Sequence, residues 1–197
     1  MSLARSYRLI APFYDATVAR ATAAARRASL AHLPHPGKRV LIAGIGTGLD
    51  VPLLPQGNRY VGVDLTRAML ERVPRTRANL RLVQGDAMRL PFPDAAFHAV
   101  VLHLILAVVP DARRALAEAE RVVKPGGLVL VFDKFLRPGE RGRLRRALNP
   151  VARRIATRLD VVFEDALAAA PALAVAADEP ALAAGWFRRI RLVKRRR

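Results

Sequence analysis

At 197 residues the chain is long enough to bury the core of one domain, and no second domain is needed to account for its length. It has no cysteine, which excludes disulfides, thiolate metal sites and thiol nucleophiles, and its four histidines lack metal-ligand spacing, so we expect no metal. The net charge of +18 points to a polyanionic partner, either a nucleic acid or an anionic membrane surface.

The first 36 residues form an amino-terminal segment. An opening rich in aromatic and aliphatic residues, from Tyr7 to Asp15, precedes an alanine-rich helix that we expect to end before Pro34 and Pro36. Asp15 can cap this helix. The basic side chains expected on its exposed part are Arg20, Arg26 and Arg27.

Residues 39–64 contain the most informative pattern in the chain. A buried strand over residues 39–43 runs into the glycine-rich turn Gly44-Ile45-Gly46-Thr47-Gly48, and a second strand over residues 60–63 ends on Asp64. Glycines let a ligand approach the main chain, and a carboxylate at a strand end can accept both hydroxyls of a ribose. A dinucleotide fingerprint would need glycine at position 49, where Leu49 stands. The pattern therefore favours another adenosine-bearing cofactor.

Strands and helices continue to alternate after Asp64. Thr66 is expected to cap a helix over residues 67–73, and a third strand over residues 80–84 leads to Gly85-Asp86-Ala87. A strand over residues 97–105, an amphipathic helix starting at Asp111, a turn over residues 123–127 and a strand over residues 128–132 follow. This alternation predicts a parallel, doubly wound sheet with its ligand at the carboxyl edge, where the turn, Asp64, Asp86 and His103 would gather.

The last 61 residues are strongly basic. Residues 1–39 hold seven Lys/Arg against one acid and residues 40–136 hold twelve against nine, whereas residues 137–197 hold fifteen against six. An apolar stripe from Leu144 to Leu159 predicts a helix with arginines on its remaining faces, kinked at Asn149-Pro150. Residues 172–177 and 187–193 are predicted to form two final strands.

Four motifs together resemble the class I S-adenosylmethionine (SAM) dependent methyltransferases. They are the glycine turn, Asp64, Gly85-Asp86 followed by Leu90-Pro91-Phe92, and the turn from Arg121 to Gly127 before an apolar strand. The resemblance covers residues 7–135. It implies one Rossmann-like α/β domain with a mostly parallel seven-stranded sheet, helices on both faces and a carboxyl-terminal antiparallel hairpin. Residues 1–36 would form a lid, residues 37–135 the SAM-binding core, and residues 136–197 the basic helix and hairpin.

The same resemblance implies the site. SAM would be bound, and S-adenosylhomocysteine released, by a set comprising Gly44, Ile45, Gly46, Thr47, Gly48, Asp64, Leu65, Asp86, Ala87 and His103. Tyr14 in the lid and His103 would act on the acceptor side. One departure stands out, because Ile42 occupies the position where the family usually has an acid that binds the amino group of SAM.

The resemblance is greatest to small bacterial phospholipid N-methyltransferases, through residues 7–15 and through Val108-Val109-Pro110-Asp111 after the fourth strand. It implies methylation of phosphatidylethanolamine at an anionic membrane. No signal-peptide run and no uncharged stretch of about 18 apolar residues is present, so we expect a cytoplasmic protein bound peripherally to the inner membrane face. The alternatives are a quinone-precursor C-methyltransferase with His103 as base, a nucleic-acid methyltransferase, which the lack of aromatic stacking residues disfavours, and a catalytically weak SAM-binding protein.

Overall fold

The computed structural model describes residues 20–34, 36–136 and 160–196 as a single α/β domain. The strands are β1 (Arg39–Ala43), β2 (Arg59–Asp64), β3 (Leu80–Gln84), β4 (Phe97–His103), β5 (Val123–Lys134), β6 (Leu173–Leu182) and β7 (Phe187–Lys194). The helices are α1 (residues 20–30), α2 (Arg67–Leu70), α3 (Ala112–Val122) and α4 (Phe163–Leu167).

All seven strands form one sheet in the order β3-β2-β1-β4-β5-β7-β6. The first five strands are parallel, and β7 is antiparallel to both β5 and β6. The predicted mostly parallel sheet with a final antiparallel hairpin is therefore confirmed. Because the order reverses between β1 and β4, the carboxyl ends of these two strands flank the crevice in which ligands of such sheets bind.

Apolar side chains cover both faces of the sheet. One core cluster joins the sheet to α3 and α4, with Leu116 and Phe163 among its fully buried members. The other joins it to α1 and α2 through Leu30 and Leu70. β4 is buried along nearly its whole length, as a strand covered on both faces must be.

Several local predictions need correction. Arg26 was expected on the exposed part of its helix, yet it is only 3% exposed, because its guanidinium pairs with a buried carboxylate. The helix after Thr66 ends at Leu70 and not at Val73, because the next hydrogen bonds tighten to three-residue turns before Pro74. The Thr66 side chain makes no cap, since its hydroxyl donates to Asp64 instead.

Other predicted ends shift slightly. β4 stops at His103, where the next residue, Leu104, takes a positive φ of +56°. The turn over residues 123–127 lies inside β5: Val123 pairs with Phe97, and the pairing resumes only at Leu128 opposite Ala99. The predicted kinked helix from Leu144 to Leu159 and its arginines lie outside the described residues, as do Tyr7 to Asp15.

Candidate active site

The glycine turn directly after β1 begins the site. Gly44 and Gly46 have positive φ values of +76° and +56°. A Cβ on Gly44 would lie 2.6 Å from side-chain atoms of Ile105, so this glycine is required for packing. A Cβ on Gly46 would meet nothing within 4 Å. The main chain at Gly46 therefore borders open space, as expected of a backbone that a ligand approaches.

Asp64 at the end of β2 is tied to that turn. Its Oδ2 accepts the Gly46 N–H at 2.9 Å, and its Oδ1 accepts from the Thr66 N–H and hydroxyl, both at 3.0 Å. The carboxylate is thus held by its neighbours although the residue is only half-buried. Leu65 follows with 65% of its surface exposed, which leaves an apolar side chain in solvent beside the carboxylate.

The end of β3 adds the next predicted residues. The Gly85 N–H donates to the Asp64 carbonyl at 2.9 Å, which fixes the two strand ends side by side. Asp86 accepts the Met88 N–H at 2.8 Å, and Ala87 is buried in the core. The side chain of Ile45 is buried against β2, where it would clash with a Cβ on Gly62, so Ile45 faces the core and offers a ligand its main chain only. Thr47 is half-buried in the same turn.

His103, the last residue of β4, is engaged on both ring nitrogens. Nδ1 lies 3.0 Å from Oδ2 of Asp50, and Nε2 lies 3.0 Å from the Ser29 hydroxyl. An ionised carboxylate can only accept, so Nδ1 carries a proton and donates to Asp50, while Nε2 is paired with the Ser29 hydroxyl. All three residues are at least nine-tenths buried. The imidazole therefore connects α1 to the segment after the glycine turn.

Asp50 is the centre of this buried network. Burial raises the pKa of its carboxyl, but His103 and Arg26 more than offset that effect, so the pKa is lower than usual. Arg26 Nη1 lies 3.3 Å from the carboxylate, and Arg26 Nε donates to the Thr22 hydroxyl at 3.0 Å. The network thus holds α1 against the chain that leaves the glycine turn.

The sequence analysis did not identify Asp50, Arg26 or Ser29 as part of this network. A signal was present, because Thr22, Arg26 and Ser29 have the i, i+4, i+7 spacing that aligns side chains on one helical face. Ala25, three residues after Thr22, is buried on the same face. Polar residues on a buried helical face need partners, so an arginine among them indicates a buried acid elsewhere in the chain.

Tyr14 and Ile42 are the two remaining residues that the sequence singles out. Tyr14 lies outside the described residues and stays a prediction. Ile42 is 1% exposed and belongs to the core cluster on the α1 side of the sheet. An acid at this position would share that apolar cluster with Leu30, Val51 and Leu70.

Comparison with known proteins adds to this geometry. The family described as methyltransferase domain matches residues 41–131. The chain is 31% identical to the phosphatidylethanolamine N-methyltransferase of Cereibacter sphaeroides, over 98% of this chain and 98% of that protein. The chain belongs to the class I SAM-dependent methyltransferases.

The methyltransferase has other relatives. It is 36% identical to the demethylmenaquinone methyltransferase of Mycolicibacterium paratuberculosis, over 77% of this chain and 68% of that protein. A solved structure from Thermotoga maritima, described as a SAM-dependent methyltransferase and possible histamine N-methyltransferase, superposes with a TM-score of 0.72. It is 21% identical and covers 98% of this chain and 100% of that chain, which shows a shared fold. The prediction of a SAM-dependent enzyme is confirmed.

The residues present fit SAM. Open space lies beside the Gly46 main chain, a half-buried carboxylate stands at Asp64, and an exposed apolar side chain stands at Leu65. Adenosine carries two ribose hydroxyls and an apolar ring face, which suit these two side chains. Among residues 20–34, 36–136 and 160–196, no group of three His, Asp or Glu is placed to hold a metal ion.

The loop between β4 and α3 borders the other side of the crevice. Asp133 at the end of β5 is fully buried, and its Oδ2 accepts the Ala107 N–H at 3.0 Å. Burial raises the pKa of Asp133, while Lys134 and the main-chain donors oppose that effect. Val108 beyond this anchor is 41% exposed. The methyltransferase thus presents an apolar residue on a fixed loop near the end of β4.

No helix within the described part of the chain is both long and apolar enough to cross a membrane.

Proposed function

We propose that this methyltransferase methylates the amine of phosphatidylethanolamine at an anionic membrane surface. The observation that carries the proposal is the similarity to a phosphatidylethanolamine N-methyltransferase along 98% of both chains. The demethylmenaquinone methyltransferase match omits about a quarter of this chain, at 77% coverage. Similarity that extends through both basic flanks supports a shared acceptor better than similarity in the core alone.

SAM supplies a methyl group activated by a sulfonium, and S-adenosylhomocysteine is the product. In our proposal Asp64 accepts the ribose hydroxyls, Leu65 covers one face of the adenine, and Asp86 with Ala87 faces the adenine edge. The main chain of the glycine turn faces the methionine portion. These contacts fix the cofactor, and holding nucleophile and methyl group in line within about 3 to 3.5 Å supplies most of the rate.

The chemistry of the described residues favours an amine acceptor over a ring carbon. Methylation at carbon needs a base near the ring, and His103 was the predicted candidate. Both His103 nitrogens are already bonded, to Asp50 and Ser29, inside the protein. An amine needs only to be neutral, and the proton it loses can pass to solvent. His103 then acts by positioning α1, and Tyr14 remains the proposed acceptor-side residue.

The charge distribution supports a membrane-bound acceptor. Residues 1–39 and 137–197 carry 22 Lys/Arg against seven acids, whereas residues 40–136 carry twelve against nine. Each Lys or Arg near an anionic surface contributes roughly 1 kcal/mol, so a few suffice for reversible docking. This supports the proposed peripheral association with the cytoplasmic membrane face.

The experiment offers three acceptors to the purified protein with radiolabelled SAM. The first sample contains vesicles of phosphatidylethanolamine and phosphatidylglycerol. In the second, phosphatidylcholine replaces phosphatidylethanolamine and demethylmenaquinone is added to the vesicles. The third contains RNA. We expect label in phosphatidylethanolamine only, and much less of it with an Asp64→Ala variant at the same SAM concentration. Label in demethylmenaquinone or RNA, with none in phosphatidylethanolamine, would refute the proposed acceptor while leaving SAM-dependent activity intact.

A further inference from the structure

A group of cationic side chains lies at the amino edge of the sheet, opposite the edge that carries the glycine turn. Lys38 directly precedes β1, Arg39 begins it, His98 is the second residue of β4, and Lys124 is the second residue of β5. We call these four residues the amino-edge cluster. Lys38 and Arg39 are exposed, and His98 and Lys124 are half-buried.

The hydrogen bonds of His98 leave two donors facing each other. Its Nδ1 lies 3.1 Å from the Arg39 backbone N–H and accepts from it. A neutral imidazole that accepts at Nδ1 carries its proton at Nε2. The Lys124 Nζ lies 3.2 Å from Nε2, and an ammonium has no lone pair with which to accept. Two donors at this separation need a shared acceptor, and the protein atoms in these contacts provide none.

The charges around His98 are unbalanced. Burial lowers the pKa of His98, and the charges of Lys124, Lys38 and Arg39 lower it further, against a raising effect of the Arg39 backbone hydrogen bond. Arg39 also lies opposite Arg59 in the β1-β2 register, and like charges at directly paired positions repel. No acid within the described residues forms an ion pair with these cations.

Packing holds the cluster in this arrangement. The Arg39 guanidinium lies over the Phe97 ring at 5.2 Å from its centre, a contact that fixes a long side chain. His98 is held by the β1 backbone, and Lys124 by its place in β5. Cations that repel one another and yet are held close form a site that is complete only with an anion.

We propose that the amino-edge cluster binds a phosphate group at a site separate from the methyl-transfer site. A phosphate presents several acceptor oxygens, so it can accept from the Lys124 ammonium and the His98 Nε2–H together while Lys38 and Arg39 neutralise its charge. A halide is a single atom and cannot offer separate acceptor atoms to several donors. A carboxylate has only one negative charge, whereas the cluster holds three cations. The phosphate can belong to a soluble phosphomonoester or to a phospholipid headgroup.

Binding is measured with inorganic phosphate on the full chain by NMR of the histidine rings, with ionic strength held constant by chloride. We expect the His98 ring signals, assigned with His98→Gln, to shift and saturate while the signals of His103 stay unchanged. Replacing Lys38 and Lys124 with Gln should weaken binding by about tenfold or more, since each replacement removes a charged donor. The matched control removes two exposed charges on α3, Arg113→Gln with Arg114→Gln, and should bind as the wild type does.

The two sources are distinguished by glycerol 3-phosphate and by vesicles containing phosphatidic acid. A His98 shift with glycerol 3-phosphate assigns a soluble ligand, and a cluster-dependent sedimentation with the vesicles assigns a headgroup. The proposal is overturned if neither glycerol 3-phosphate shifts the His98 signals nor the vesicles bind the protein. It is also overturned if chloride alone gives the same shift, or if the Lys38/Lys124 variant binds phosphate as tightly as the wild type does. SAM affinity, measured in parallel, should be equal in all variants, so a failure here leaves the methyl-transfer proposal unaffected.

Discussion

The buried carboxylate of Asp50 offers a quantitative test of how α1 is held to the cofactor-binding core. The change is Asp50→Asn, which keeps the size of the side chain and removes its charge. Arg26 and His103, 3% and 6% exposed, would then lose their anionic partner inside the protein. Removing one member of a buried ion pair costs about 3 to 5 kcal/mol, because the remaining charge stays desolvated.

This cost translates into a clear shift in thermal stability. For a chain of this size, each kcal/mol lowers the melting temperature by about 2 to 4 °C, so we expect a fall of at least about 6 °C by circular dichroism. The control is Asp94→Asn, which removes a carboxylate that is 78% exposed and paired with Arg121. Exposed pairs contribute about 0 to 1 kcal/mol, so the control should stay within a few degrees of wild type.

The pH dependence of stability gives a second test of the Asp50 network. The pKa of Asp50 is lower in the folded protein than its usual value of 3.8, so its stabilising contribution is complete above pH 3.8. It is lost as the pH falls further, through the folded-state pKa. The difference in unfolding free energy between wild type and Asp50→Asn should therefore be constant near neutrality and narrow below pH 3.8. Equal stability of Asp50→Asn and Asp94→Asn at pH 7 would refute the described network.

The remaining predictions concern the cofactor and the membrane. Asp64→Ala should weaken SAM binding by about 1.5 to 3 kcal/mol in calorimetry, because two hydroxyls lose a charged acceptor. Gly46→Ala should strain the turn at φ +56° and narrow the open space there, so SAM binding should be greatly weakened. The control is Gly37→Ala, which has a φ of +89° and also borders open space, and which should strain the chain without loss of SAM binding. Vesicle sedimentation should weaken as salt rises and should fall, with SAM affinity unchanged, when four arginines are replaced by Gln: Arg145, Arg146, Arg153 and Arg154.

Each of these predictions has an opposing result. Unchanged SAM affinity in Asp64→Ala would mean that this carboxylate does not bind the ribose. Equal losses in Gly46→Ala and Gly37→Ala would assign the effect to general destabilisation. Unaltered vesicle binding by the four-arginine variant, or no vesicle binding even without RNA alongside methylation of RNA, would remove the basis for membrane docking through residues 137–197.

Much of the fold could be predicted from the sequence because the signals are local. The continuous apolar run of β4 can be buried only between two layers, and the glycine turn between β1 and Asp64 specifies a crossover. Asp111 signalled the start of α3, and its side chain does accept from the N–H groups of Arg113 and Arg114. The strand ends were predicted less accurately. For example, β4 was expected to continue to Ile105, but it ends before Leu104, whose positive φ is unusual for leucine.

Residues whose role depends on distant partners could not be predicted in this way. Arg26 and Asp50 are 24 positions apart, and an isolated arginine or aspartate in a sequence is expected on the solvated surface. His103 was identified as a site residue from its strand end, but its orientation depends on Ser29, 74 positions away. Which way a polar side chain turns is set by the packed fold, and local propensity carries no information about it.

The most direct test of the proposed acceptor is lipid mass spectrometry on a bacterial host that makes phosphatidylethanolamine and no methylated derivative of it. The host expresses either the wild-type chain or Asp64→Ala as the matched control. We predict that methylated derivatives of phosphatidylethanolamine accumulate with the wild type and are strongly reduced with Asp64→Ala. An unchanged phospholipid profile in cells that contain folded, SAM-binding wild-type protein would contradict the account.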